Sequence, residues 1–140
     1  MGARRTARER ALQALYQMEM SKTGPAESLA SAWAAEPDGA KPEPESESFG
    51  LALVEGVHAH GAVIDKLLEE HSHNWRLDRM SRIDRNILRL SVFELKFRDD
   101  IPRKVTINEA VELGKRFGTE ESSAFINGLL DRVAIALQKA

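Results

Sequence analysis

The stretch from Trp75 to Phe97, WRLDRMSRIDRNILRLSVFELKF, limits what this 140-residue chain can fold into more than any other. At about 100° per residue, Ile83, Ile87, Leu88, Leu90, Val92, Phe93, Leu95 and Phe97 cover most of a helix circumference. A helix so apolar must be surrounded by others, so the spacing predicts one long central helix. Arg82, Arg85, Arg89 and Lys96 fall in the remaining stripe, which is then its only wet line. A solvated face accounts for such a stripe as well as a binding face does. Ser81 is placed to cap the helix, and Asp84 to complement the positive end of its dipole. Glu94 falls in the apolar arc, where an unpaired charge is too costly. It is expected either to pair with an arginine inside the bundle or to face a partner.

The length suits a single domain with one real core. There is no cysteine, which excludes disulfides and thiolate chemistry, and no apolar run long enough to span a bilayer. The start, MGARRTARER, lacks the hydrophobic stretch of a secretory signal, so a cytoplasmic location is expected. A net charge of −2 hides a segregated pattern. Arg4, Arg5, Arg8 and Arg10 against Glu9 make residues 1–10 locally +3, while five acids against Lys41 make residues 36–48 locally −4. Residues 75–104 carry nine basic and five acidic side chains. Such segregation suggests an anionic partner for part of the surface.

From Arg4 to Met20, Ala7, Ala11, Leu12, Leu15, Tyr16 and Met18 recur at helical spacing. The arginines at the start of this helix precede its expected packed part and have the wrong sign for a helix N-terminus. A frayed, solvated tail and a phosphate-binding arm are both consistent with them. Gly24 and Pro25 end the helix, and residues 26–35, around Leu29 and Trp33, fit a short second one. EPDGAKPEPESES reads as a loop. Ser46 or Ser48 would then cap a helix running through Phe49, Leu53, Val57, Ile64, Leu67 and Leu68, with Gly50, Gly56 and Gly61 inside it. His58, His60, His71 and His73 form two H-x-H pairs, but side chains two apart on a helix point roughly 200° away from each other. No metal site is expected.

RDDIPRKV makes a turn, because Pro102 disfavours helix at Ile101. Thr106 and Glu109 then read as a capping box for a helix whose face is Ile107, Ala110, Val111, Leu113 and Phe117, ended by Gly118. The last helix, residues 120–138, uses Phe125, Ile126, Leu129, Leu130, Val133 and Leu137. Asn127-Gly128 within it resembles a hairpin turn, but the flanking period overrules that, and Gly128 is expected to serve a close approach. No phosphate loop, dinucleotide fingerprint, zinc-protease motif or nucleophile-and-base pair is visible, and no cofactor is expected. Strand-like alternation is absent. The expectation is an all-α bundle of about six or seven helices.

Three stretches together resemble the NusB family of transcription antitermination factors: ARRTARERALQALYQME, MSRIDRNILRLSVFELKFRDDIPRKVTINEAVELGKRFG and SSAFINGLLD. The resemblance spans nearly the whole chain as one NusB-like RNA-binding domain over residues 1–140, and fades across the acidic, proline-rich residues 22–48. It implies two small helical subdomains and a factor that binds boxA RNA of ribosomal RNA leader transcripts. The implied partners are NusE, a small-subunit ribosomal protein, and, in a larger complex, other Nus factors and RNA polymerase. Such a factor suppresses premature termination, is not an enzyme and has no membrane partner. Carried over residue by residue, Arg4, Arg5 and Arg8 stand for the family's RNA-contacting arginines, with Thr6 where some members have another. Phe125 matches the RNA-contacting aromatic and Glu121 an acidic position near the RNA. Tyr16 and Asp84 resemble positions at or near the NusE-facing surface. A non-catalytic helical adaptor stays open as an alternative. So does an RNA-recognition domain like that fused to RNA methyltransferases, although no glycine-rich loop for S-adenosylmethionine is present. Monomer and homodimer are both compatible with the sequence, and a homodimer could cover the basic arm.

Overall fold

The computed structural model describes residues 2–35, 41–73 and 77–140. Among them the chain forms seven α-helices and no strand, and none of the helices is long and apolar enough to cross a membrane. They fall into two compact units, Met1–Ala59 and His60–Ala140.

The first unit holds α1 (Ala3–Ser21), α2 (Pro25–Ala34) and α3 (Pro44–Ala59), each packed on the other two. Helix α1 stops where Lys22 turns left-handed, at φ 56°, and returns its N–H to the Met18 carbonyl. Pro25 opens α2, where its missing N–H is no loss. Ala7, Ala11, Leu12, Ala14 and Leu15 of α1 meet the level of Leu29 and Ala32 of α2, and Phe49, Leu53, Val54 and Val57 of α3, in a buried core. The alanines on α1 let α3 run close beside it. A Cβ added to Gly50 would lie 3.6 Å from the Ala7 carbonyl oxygen.

Two sequence expectations are corrected here. The acidic stretch is not loop throughout, because Pro44 begins α3, and Glu45 and Glu47 complement the dipole of its first turn; residues 36–40 lie outside the described residues. Ser46 does not cap that helix. It is buried and donates to the Ala3 carbonyl at 2.9 Å, joining the start of α3 to the start of α1.

The second unit holds α4 (Gly61–His71), α5 (Arg82–Phe97), α6 (Arg103–Phe117) and α7 (Ser122–Ala136). The helix expected from Ser46 or Ser48 to Leu68 is interrupted at His60, whose φ of −112° and ψ of 22° leave the helical range just before Gly61. The central helix is also shorter than expected. Leu77–Arg79 form a single 3-10 turn, Trp75 lies outside the described residues, and α5 starts at Arg82. Ser81 is its cap as expected, accepting from the Asp84 N–H at 3.1 Å. From Asn86 to Leu95 every residue but Arg89 is buried, and α4, α6 and α7 all pack on this helix.

The arginine stripe is not simply wet. Arg89 makes a fork to Asp65 of α4, with Nε–Oδ1 at 2.8 Å and Nη2–Oδ2 at 3.0 Å, and so ties α4 to α5. Arg85 donates to the Leu77 carbonyl, while Arg82 and Lys96 are exposed. Phe97, expected in the apolar arc, is 36% exposed, with its ring stacked on His60 at 4.2 Å. It ends its helix, beyond the reach of the packed turns.

Glu94 is buried and accepts from Thr106 Oγ1 at 2.9 Å. Thr106 therefore is not an N-cap. Helix α6 starts one turn earlier with Pro102 in the cap position, and the Thr106 N–H already bonds the Pro102 carbonyl. Arg98 forks onto Asp100 in the preceding turn, and that hydrogen bond raises its pKa above the ordinary value. The Lys139 ammonium donates to the Arg98 carbonyl, and the Arg103 N–H to that of Ala140, binding the chain's last residues to this turn.

Candidate nucleic-acid interface

Four of the first ten residues are arginine, with Glu9 between the last two, and α1 has no acidic residue in its first turn and no side-chain cap. The helix dipole alone would loosen that turn. Helix α3 supplies the compensation. Its Phe49 ring has the Arg4 guanidinium 4.6 Å and the Arg8 guanidinium 5.1 Å from its centroid. Glu45 Oε1 lies 3.6 Å from Arg4 Nε. Arg10 continues the pattern over the Trp33 ring at 5.8 Å.

The arginines therefore differ. Arg5 is exposed, Arg4 is half-buried, and Arg8 is 5% exposed. The expectation that all three precede the packed part of the helix fails for Arg8, because the position four residues after Arg4 shares its helix face and is turned with it toward α3. Farther along α1, Tyr16 is exposed at 47% and Met20 at 54%, on the side away from the unit's core.

In the second unit, Glu121 stands at the N-cap of α7, exposed and without a capping hydrogen bond from its side chain. Its carbonyl accepts from the Phe125 N–H, so the two residues lie one turn apart on the same side of the helix. Phe125 is half-buried. Gly128, three residues on, is half-buried too. A Cβ there would meet only Arg132 Nη1, at 3.6 Å, so the close helix approach expected at this glycine is not found. Helix α7 is held by Arg132, whose Nε donates to the His71 carbonyl at the end of α4, where a cation suits the dipole.

The turn before α7 is tight. Ser122 Oγ accepts from the Thr119 N–H at 2.9 Å, and a Cβ on Gly118 would stand 2.7 Å from Ser122 Cβ. Gly118 ends α6 as expected, but in extended backbone at φ −93° rather than left-handed. Glycine is required there for space and not for its sign of φ. Asp84 is half-buried in the first turn of α5, and no donor among the described residues reaches its Oδ1.

The histidines do not assemble. His60 stacks on Phe97, and His71 Nδ1 lies 2.8 Å from the Leu67 carbonyl oxygen. Among the described residues no group of three or more His, Cys, Asp or Glu side chains is placed to hold a metal. The arginines of the expected basic arm lie on α1 and Phe125 on α7, and sequence reasoning missed Phe49 as the seat of Arg4 and Arg8. Only its position opposite an arginine-rich stretch would have signalled it, and that pairing is set by helix packing far apart in the chain.

The sequence pattern of the NusB family matches residues 5–135. The transcription antitermination protein NusB of Myxococcus xanthus is 69% identical over 139 residues, covering 99% of each chain. Its counterpart in Anaeromyxobacter dehalogenans is 51% identical over 142 residues, covering all of this chain and 96% of that one. Among solved structures, T. maritima NusB superposes with a TM-score of 0.84 at 35% identity, over 94% of this chain and 90% of that one. A crystal structure of the antitermination factors NusB and NusE with double-stranded RNA contains a chain that matches at 28% identity and a TM-score of 0.84, over 96% of this chain and 97% of that one.

Proposed function

The chain belongs to the NusB family, and from that premise we propose which of its residues meet RNA and which meet NusE. The protein is a transcription antitermination factor, not an enzyme. It binds boxA RNA of ribosomal RNA leader transcripts together with NusE and helps RNA polymerase pass premature termination sites with the other Nus factors. The observation that carries this reading is the match of the whole chain, end to end, with an antitermination NusB at 69% identity.

Within that function, Arg4, Arg5 and Arg8 form the basic arm. Arg5 offers its guanidinium directly to phosphate, Arg4 offers its exposed part, and Arg8 is the arm's inner member. Phe125 serves as a stacking platform for a base. Its partial exposure on α7 and the missing side chain at Gly128, three residues on, support that role. Glu121, exposed one turn before it, borders the same strand of RNA. Tyr16 and Asp84 face NusE. The exposed Tyr16 ring is the kind of aromatic anchor that interfaces use, and Asp84 is half-buried in the first turn of α5. Residues 1–140 act as one NusB-like domain, in the cytoplasm, where transcription and NusE are found.

The test is a pull-down with the cognate NusE, with and without boxA RNA. Retention of NusE, increased by the RNA, is expected. Failure to retain either partner at moderate salt would leave the chain a helical adaptor of another kind.

A further inference from the structure

We propose that Phe49 is a positioning residue for RNA binding. Its ring fixes the basic end of α1 by the guanidinium groups of Arg4 and Arg8, so that Arg5 becomes the outermost phosphate ligand. The proposal rests on the reading of α1 as the RNA-binding arm. It adds a residue on a different helix that touches no RNA and yet sets how the arm presents itself.

The need for such a device follows from the helix. Arginines crowd a first turn that has no acid and no side-chain cap, and both the dipole and the uncapped N–H groups favour fraying there. A frayed arm must lose conformational freedom each time it meets RNA, which weakens binding. Three contacts from one turn of α3 oppose this. The Phe49 ring receives both guanidinium groups, at 4.6 Å and 5.1 Å from its centroid. Ser46, one turn earlier and 4% exposed, donates to the Ala3 carbonyl at 2.9 Å and so holds the backbone immediately before Arg4. At Gly50 the two helices come close, a Cβ there standing 3.6 Å from the Ala7 carbonyl oxygen and 3.7 Å from the Ala7 Cβ.

Helical spacing completes the arrangement. Arg4 and Arg8, four apart, share the face toward α3, whereas Arg5 is rotated by about 100° and is exposed. A guanidinium seated over a ring uses its flat face and keeps its N–H groups in the plane, where phosphate oxygens are bound. Phe49 can therefore steady an arginine without neutralising it, unlike a carboxylate. Glu45, at 3.6 Å from Arg4, is such a carboxylate, but it is a solvent-facing one that a phosphate can displace.

The experiment compares the full-length protein with Phe49→Leu, with Phe49 replaced by its trifluorinated analogue, and with Arg5→Ala. Affinity for single-stranded boxA RNA, melting temperature, and amide hydrogen exchange at residues 4–8 of the free protein are measured. The fluorinated ring keeps the apolar shape and weakens only its attraction for cations, so it remains informative if Phe49→Leu folds poorly. The expected result is a roughly three- to tenfold loss of affinity and faster exchange in residues 4–8 for both ring variants, with the melting temperature of the fluorinated protein unchanged. Full affinity and unchanged exchange in the fluorinated protein, while Arg5→Ala binds weakly, would overturn the positioning role and leave the RNA-binding arm standing. If Arg5→Ala binds as well as the parent, the arm itself is misassigned and this proposal falls with it.

Discussion

Thr106 Oγ1 donates to Glu94 Oε1 at 2.9 Å, and each of these residues is 1% exposed, so a carboxylate in the last turn of α5 is met by a hydroxyl from the first turns of α6. Thr106→Val keeps the shape and removes the donor. It should lower unfolding stability by about 1–3 kcal/mol, because the buried acceptor keeps its desolvation cost and loses its bond. Urea denaturation measures this, and an unchanged midpoint would show that other contacts alone satisfy Glu94. RNA affinity of the folded protein should stay as it is, since neither residue belongs to the proposed interface.

The Arg89–Asp65 fork should behave as a structural tie and not as part of an RNA site. Both partners are mostly covered, at 21% and 29% side-chain exposure. Alanine at either position should cost about 1 kcal/mol or somewhat more, and the double variant should cost less than the sum of the two. A double-mutant cycle with no coupling, or a loss of RNA affinity specific to Arg89→Ala, would return this arginine to the binding surface.

Gly118→Ala should destabilise the second unit by about 1–3 kcal/mol, because the added methyl would stand 2.7 Å from Ser122 Cβ and 2.9 Å from the Gly114 carbonyl oxygen. Gly128→Ala, by contrast, meets only an arginine side-chain end at 3.6 Å. It should be neutral or slightly stabilising in an α-helix. Melting temperatures of the two variants decide it, and the opposite ranking would contradict the packing described.

Phe125→Ala should separate binding from folding. A fully buried phenylalanine costs about 3–5 kcal/mol when truncated, and the half-buried Phe125 should cost less than that. Loss of one stacking platform costs about 1–3 kcal/mol of binding, or roughly tenfold and more in affinity. Phe125→Tyr should keep most of both. Severe unfolding with unchanged affinity of the folded fraction would make this residue a core side chain only.

The elements with strong local signals were legible in the sequence. Ser81 as a cap, Gly118 as the end of α6, the helical Asn127-Gly128 pair and the apolar run of α5 all follow from spacing and capping chemistry within a few residues. What failed depended on choices between similar local options. Both Pro102 and Thr106 can start a helix, and the earlier start prevails where the Pro102 carbonyl accepts from Thr106 and the Ala140 carbonyl from Arg103. The interruption at His60 sits in a sequence whose apolar period runs on unbroken, so periodicity could not reveal it. In the candidate site, the residue types were readable but their burial was not. Arg8 and Arg5 look alike in sequence, and only the packing of α3 against α1 makes one inner and the other outer.

The most direct test is the affinity of this chain for single-stranded boxA RNA across a range of salt, measured alone and with the cognate NusE. With roughly four phosphate contacts, the slope of log K against log salt should be about −3, and NusE should tighten binding. Binding that ignores both salt and NusE would contradict an electrostatic RNA arm working jointly with that partner.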